Sequence, residues 1–372
     1  MIRARSYTGW VVVPALSILL ALLVASVFIV AAGLVGPEKK IDLLLPLVAY
    51  RSLLVGAFGN LKGLANTIVA ATPLMLTGLA VGVGMKAGLL NIGATGQVLM
   101  GGFASALVGV MVAGASPWIA IPVAMLGGLL AGALAGFIPG FLKAYTGAHE
   151  VVTTIMLNAL IQLLVSGLVN DVYRAPGFSF ARTAPLGNAT LTGIGGTNLH
   201  IGVIFALVCI PISYWLLWRT TVGFEIRSVG ANPTAAFYAG MNPRRMIILT
   251  MSLCGAFAGM AGAVEIQRLG YYPAVFGTSI GFDGITVALL GRANPVGILF
   301  AAILLGAMRA GAPLMQIQAG VPVEIIDVIQ GVILIFLAAE VVVRQIFRLR
   351  APGQGAGELQ TITRTYGEKV AG

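Results

Sequence analysis

Three uncharged polar residues lie close together in an otherwise apolar part of the chain. Asn91, Thr95 and Gln97 belong to the run GLLNIGATGQ, in which three glycines are expected to break a helix. The two amides and the hydroxyl can exchange hydrogen bonds with a polar, uncharged solute. They can equally satisfy backbone groups that the break would free inside a membrane. The residues themselves leave both interpretations open.

A second polar group lies in the run HEVVTTIMLNALI. Thr153, Thr154 and Asn158 share one face of the helix that this run predicts. A polar stripe on an apolar helix indicates either the wall of a cavity or hydrogen bonds to a neighbouring helix. The six residues together are the candidate solute pathway.

The elements that position these residues are predicted to lie in a membrane. The chain is 58% hydrophobic and 9% charged, with a mean hydropathy of +0.98, whereas a soluble domain has roughly a quarter of charged residues. Its net charge is +10, but the basic residues are scattered between apolar spans. They therefore indicate membrane orientation, and no nucleic-acid partner is expected.

The apolar runs predict an all-α polytopic membrane protein with about ten transmembrane helices. The predicted spans are residues 10–35, 66–85, 92–114, 118–142, 151–170, 200–218, 246–266, 279–291, 295–312 and 324–343. The eighth is too short to cross a bilayer alone. In this topology, fourteen of the 22 Lys and Arg residues lie on the same side of the membrane as the N-terminus. This excess places both termini in the cytoplasm.

The spans divide the chain into a transmembrane domain, residues 1–343, and a polar cytoplasmic tail, residues 344–372, that is expected to be disordered. Residues 171–199 form the predicted extracytoplasmic loop, and residues 219–245 form the largest cytoplasmic loop. Residues 88–110 and 284–308 each contain a Gly/Asn-broken stretch that leads into a small-residue helix. This similarity predicts an inverted repeat with broken helices, and chance similarity between glycine-rich segments is the alternative.

Several kinds of chemistry are disfavoured by the sequence. No ionisable residue falls in the middle of a predicted span, which argues against an ion-coupled carrier and for a neutral solute. The chain has no G-x-x-x-x-G-K-[ST] phosphate loop. It also shows no cluster of catalytic acids, histidines or metal ligands, so neither an enzyme nor a cofactor is expected.

Four segments resemble the permease family that serves sugar, nucleoside and branched-chain amino-acid importers of the ATP-binding-cassette (ABC) type. They are residues 78–103, 149–161, 227–263 and 281–298. The first is close to the family pattern G-L-x-N-I-G-A-E-G-Q, from which Thr95 departs. The segment at 149–161 is most similar to the nucleoside branch.

This resemblance implies a permease subunit in a bacterial inner membrane, embedded in lipid, that moves a neutral polar solute, a nucleoside first. A sugar permease of the same family and a passive channel or facilitator are the alternatives. The implied partners are a cytoplasmic ABC ATPase, a second permease that is homologous or identical, and an extracytoplasmic substrate-binding lipoprotein. ATP hydrolysis is expected on the separate ATPase chain.

The resemblance also implies a role for the cytoplasmic loop, residues 219–245, here called the coupling segment. A short helix with a small-residue face would dock into a groove of the ATPase, with Tyr238 as an aromatic anchor. The alternative is an ordinary amphipathic turn at the membrane surface. The candidate docking residues are Gly230, Ala231, Asn232, Pro233, Ala236, Tyr238, Ala239 and Gly240.

Overall fold

A computed structural model describes residues 2–35, 42–277 and 279–339. Within these residues the chain forms thirteen α-helices and no β-strand. The helices are α1 (Ile2–Val35), α2 (Leu45–Phe58), α3 (Leu61–Lys86), α4 (Ala94–Met111), α5 (Pro117–Thr146), α6 (Glu150–Gly167), α7 (Gly202–Arg219), α8 (Thr221–Ala231), α9 (Pro233–Tyr238), α10 (Pro243–Leu269), α11 (Ser279–Leu290), α12 (Pro295–Ala319) and α13 (Ile325–Ala338). The tail predicted at 344–372 lies outside the described residues.

Eight described helices, α1, α3–α7, α10 and α12, are long and apolar enough to cross a membrane. The prediction of an all-α polytopic membrane protein is therefore confirmed. The eighth predicted span corresponds to α11, which has only twelve residues. At 1.5 Å per residue it rises about 18 Å, less than the roughly 30 Å of a bilayer core.

Helix α2 is an element that the sequence analysis missed. It has fourteen residues, starts with a proline in its first turn and carries Arg51, so it lacks the length and continuous apolarity of a span. Tertiary contacts hold it instead. The Ser52 hydroxyl donates to Oε1 of Gln318 over 2.8 Å, and Gly56 packs against the backbone of Gly311 in α12.

The prediction that no ionisable residue falls in the middle of a span does not hold for Arg309. Arg309 lies within α12, because this helix continues through Pro313 to Ala319 instead of ending where the sequence analysis placed its end. Asp283 lies within α11 and is buried. The absence of membrane charge therefore does not support a neutral solute.

The chain divides into two compact units, one formed by Ala71–Ala302 and one by the described residues before and after it. In the first unit, α5 lies against α10 along glycines of both helices. A side chain at Gly132 would overlap the backbone of Gly255 and Gly259, and one at Gly128 would meet the carbonyl oxygen of Gly101 in α4. Small residues thus let α4, α5 and α10 approach backbone to backbone, as expected for helices in lipid.

In the other unit, α1 packs against α2 and α13. The Tyr50 hydroxyl donates to the carbonyl oxygen of Leu22 over 2.6 Å and lies 3.2 Å from the Ser26 hydroxyl. These bonds join α1 and α2 by polar groups that would otherwise lack partners among apolar side chains.

Candidate functional site

The predicted helix break lies between α3 and α4. Helix α3 ends at Lys86 and α4 begins at Ala94, and residues 87–93 are here called the break. Gly88 adopts a φ of 70°, which a residue without a Cβ tolerates at little cost. The amide of Leu89 donates to the carbonyl oxygen of Gly84 over 2.9 Å, so the chain turns sharply after α3.

The second predicted break is also present, between α11 and α12. Residues 291–294 separate the two helices, and Arg292 and Ala293 have φ values of 52° and 50°. Both segments on which the inverted repeat was predicted therefore contain a break followed by a helix. The inverted relation between them stays a prediction.

Asn91 and Gln97 form a reciprocal amide pair across the first break. Nδ2 of Asn91 donates to Oε1 of Gln97 over 2.8 Å, and Nε2 of Gln97 donates to Oδ1 of Asn91 over 3.2 Å. Both residues are buried. In this conformation each amide therefore uses one donor and one acceptor inside the protein, where an unpaired amide would be costly.

Asn158 of α6 supplies the bonds that the break removes from the backbone. Its Nδ2 donates to the carbonyl oxygen of Ile92 over 3.0 Å, and its Oδ1 accepts from the amide of Gly96 over 2.8 Å. A Cβ on Gly96 would come within 3.1 Å of the Cα of Asn158. Of the two interpretations of the polar stripe on α6, Asn158 therefore shows hydrogen bonds to a neighbouring segment, here the break and the first turn of α4.

The two threonines of α6 bond within their own helix. The hydroxyls of Thr153 and Thr154 donate to the carbonyl oxygen of Glu150 over 3.1 and 2.7 Å. Thr154 is buried against Gly93 of the break, and Thr153 is half-buried. Thr95 is buried on another side of α4, where Gly281 of α11 packs against its backbone.

An ion pair that the sequence analysis missed stabilises the start of α6. Nζ of Lys143, at the end of α5, lies 2.6 Å from Oε2 of Glu150, and the Glu150 side chain is fully buried. A buried carboxylate needs such a partner. The two residues lie on different helices, on either side of the turn between α5 and α6, so the pairing rule for neighbours within one helix gives no signal.

The coupling segment is two helices, not one. Helix α8 ends at Ala231, and Asn232 has an extended backbone with a φ of −159°. Its Oδ1 accepts from the amide of Ala235 over 3.0 Å, and Pro233 begins α9. A residue before proline is disfavoured in the helical region, and asparagine is a good N-cap. The sequence Asn-Pro therefore ends the single predicted helix.

The exposed face of α9 is aromatic. Phe237 is 64% and Tyr238 85% exposed, and their ring centroids lie 6.0 Å apart in an edge-to-face arrangement. Ala236 is only 4% exposed, so it packs within this chain and does not belong to the docking face. The sequence analysis missed Phe237. Its position beside Tyr238, four residues after Pro233, was the available signal.

The coupling segment contacts the break directly. A side chain on Gly230 of α8 would overlap the carbonyl oxygen of Lys86 and the backbone of Ala87. A Cβ on Gly88 would in turn lie 3.1 Å from the carbonyl oxygen of Gly230. These two glycines therefore allow a backbone contact between α8 and the break. The remaining docking candidates, Ala231, Asn232, Pro233, Ala239 and Gly240, are exposed around α9.

No metal-binding cluster is formed by the part of the chain that the structure describes. It contains no group of three or more His, Cys, Asp or Glu side chains that could hold a metal ion. His200, which precedes α7, is buried. Desolvation lowers its pKa, and the charge of Arg268 acts in the same direction, so the imidazole is held neutral.

Comparisons with known proteins bear on this arrangement. A family model described as the permease component of the branched-chain amino acid transport system matches residues 63–338. Guanosine ABC transporter permease protein NupP of Bacillus subtilis is 38% identical over 303 residues, 79% of this chain and 86% of the relative. Nucleoside ABC transporter permease protein NupB of Lactococcus lactis is 34% identical over 382 residues, 98% and 99% of the two chains. Glucose ABC transporter permease protein TsgB13 of Haloferax volcanii is 32% identical over 349 residues, 90% and 89%.

Replacement of Asn158 by leucine is expected to destabilise the protein. It removes the partners of the Ile92 carbonyl and the Gly96 amide, and each unsatisfied group costs about 1–3 kcal/mol. The measurement is the thermal unfolding midpoint of the detergent-purified protein. Asn170→Leu is the matched control, because the Asn170 amide donates to the Ser166 carbonyl at an exposed position. Equal shifts for the two variants would contradict a role in the break.

Proposed function

We propose a nucleoside as the solute of this chain, which belongs to the permease-component family of the branched-chain amino acid transport system, a family of ABC importer permeases. Two relatives with the highest identities reported above are named as guanosine and nucleoside permeases. The similarity to NupB extends over nearly the whole of both chains. A sugar is the second candidate, which the similarity to a glucose permease favours.

The contact between the break and the coupling segment is the observation that supports a transport mechanism. Gly230 lies against the backbone of Lys86 and Ala87. Further along the break, side-chain amides and not helical backbone bonds hold the chain in place. A displacement of α8 would therefore strain the least regular part of α3 and α4. Opening of the break would free the amides of Asn91 and Gln97 to exchange hydrogen bonds with the ribose hydroxyls and base edge of a nucleoside.

The energy for this displacement comes from other subunits. The sequence has no phosphate loop, so ATP is hydrolysed on a separate cytoplasmic ABC ATPase that binds α9. A second permease chain, homologous or identical, completes the pathway. An extracytoplasmic substrate-binding lipoprotein delivers the solute from outside.

In this mechanism residues 1–343 form the permease domain. Both termini of the chain and the coupling segment lie in the cytoplasm, and residues 171–199 lie outside. Cysteines placed at Ala239 and Thr192, both exposed, test the orientation with a membrane-impermeant thiol reagent. Thr192→Cys should react in intact cells, and Ala239→Cys only after the membrane is opened. The native Cys209 and Cys254 are buried, which keeps the background low. Reaction of both variants in intact cells would overturn this orientation.

Two variants separate docking from transmission. Tyr238→Ala should lower recovery of the co-expressed ATPase, because truncation of an aromatic anchor typically costs about 2 kcal/mol or more. Gly230→Ala should retain the ATPase but lose uptake, because its Cβ would overlap the backbone at Lys86. Trp118→Ala is the control, since Trp118 is 80% exposed at the opposite end of α5 from the coupling side. Unchanged ATPase recovery with Tyr238→Ala, or full uptake with Gly230→Ala, would contradict the corresponding role.

The solute is tested by uptake in cells that express the complete importer. Labelled guanosine and adenosine should accumulate in an ATP-dependent manner, and unlabelled nucleosides should compete with them. Labelled ribose and leucine are the comparison solutes. Ribose uptake without nucleoside uptake would favour the sugar candidate, and selective leucine uptake would refute a solute recognised by amides and hydroxyls alone.

A further inference from the structure

A cavity with two cationic side chains lies where the end of α5 meets the beginning of α10. Its volume is about 410 Å³. The residues that line it are Tyr145, Asn242, Arg244, Arg245, Ile248, Leu249 and Ser252. The lining therefore combines two guanidinium groups and two hydroxyls with aliphatic side chains, and none of these residues belongs to the break or to α9.

The charge of this cavity is positive. Arg244 and Arg245 are exposed, and neither takes part in an ion pair among the residues that the structure describes. The nearby carboxylate of Glu150 is buried and bound to Lys143. The guanidinium of Arg244 lies 5.7 Å from the ring centroid of Tyr145. This cavity therefore favours an anionic ligand that accepts hydrogen bonds.

An apolar surface leads away from the cavity along α5. The rings of Phe137, Phe141 and Tyr145 follow one another on one face of this helix, with centroids 5.7 and 4.7 Å apart. All three are exposed, on a helix that is long and apolar enough to cross a membrane. Tyr145 belongs both to this aromatic row and to the cavity.

We propose that this site binds an anionic phospholipid, whose phosphate contacts Arg244 and Arg245 and whose acyl chain lies along Phe137 and Phe141. Guanidinium groups bind phosphate oxygens in a bidentate manner, and the hydroxyls of Tyr145 and Ser252 can donate to the remaining oxygens. Basic pockets at the ends of membrane helices are suited to anionic headgroups. Free phosphate shares the charge but has no use for the aromatic row. An acidic protein segment is disfavoured because this row lies on a helix long and apolar enough to cross a membrane, which favours the lipid.

The test uses the full chain in phosphatidylcholine nanodiscs that contain fluorescent phosphatidylglycerol, with binding read from energy transfer to the protein. The double variant Arg244→Gln/Arg245→Gln should weaken phosphatidylglycerol binding about 30-fold, since each basic side chain at a lipid surface contributes roughly five-fold. Arg219→Gln is the matched control. Arg219 is also an exposed arginine at the end of a membrane-length helix, but it does not line the cavity. It should weaken binding by no more than the roughly five-fold general contribution of one basic side chain at the surface.

Further measurements distinguish the lipid from free phosphate and from a protein segment. Phe141→Ala should weaken phosphatidylglycerol binding while leaving both guanidinium groups in place, which a site for the phosphate group alone would not require. Inorganic phosphate should not displace the lipid. Displacement by phosphate, unchanged lipid binding in the double variant, or loss of the co-expressed ATPase with lipid binding retained would each overturn the proposal, the last in favour of a protein contact.

Discussion

A buried stretch of backbone that interrupts two helices needs hydrogen-bond partners from the protein, because apolar surroundings offer none. At the α3–α4 break these partners are side-chain amides. Asn158 binds the Ile92 carbonyl inside the break and the Gly96 amide in the first turn of α4, and Asn91 of the break pairs with Gln97 of α4. This constraint explains why polar residues are buried there, and it joins α6 to the start of α4.

Close helix packing places these partners. Helices α4, α5 and α10 approach through glycines whose side-chain positions are occupied by the backbone of the neighbouring helix. The Lys143–Glu150 pair holds the start of α6 at the end of α5. Such contacts leave little freedom for independent movement of single helices. A movement imposed on α8 at Gly230 would therefore reach the break first, since Gly230 and Gly88 are in backbone contact.

The second half of the coupling segment carries two surfaces that differ in their chemistry. Helix α9 presents an exposed aromatic pair, which suits a protein groove. The residues that follow Asn242 present arginines beside an aromatic row on α5, which suits a lipid phosphate. The proposed ATPase contact and the proposed lipid site would thus lie within one short stretch of chain.

The sequence by itself determined the all-α membrane fold, the long spans and the two breaks, because composition, span length and helix-breaking residues are local properties. It also placed Asn91, Gln97 and Asn158 among the candidate residues of the solute pathway. Only the tertiary structure decided what those residues contact. Asn158 meets Gly96 from 62 positions away, and no local pattern encodes such a pairing.

The same reason explains the errors. Helix α2 is too short for a hydropathy signal and is held by α12, and Arg309 lies inside α12 because that helix continues through Pro313. Ala236 was assigned to the docking face, but its burial depends on neighbours outside its own helix. Local sequence sets which elements form, whereas packing between distant segments decides which of their faces remain free. That packing depends on shape and hydrogen-bond complementarity that only the folded chain brings together.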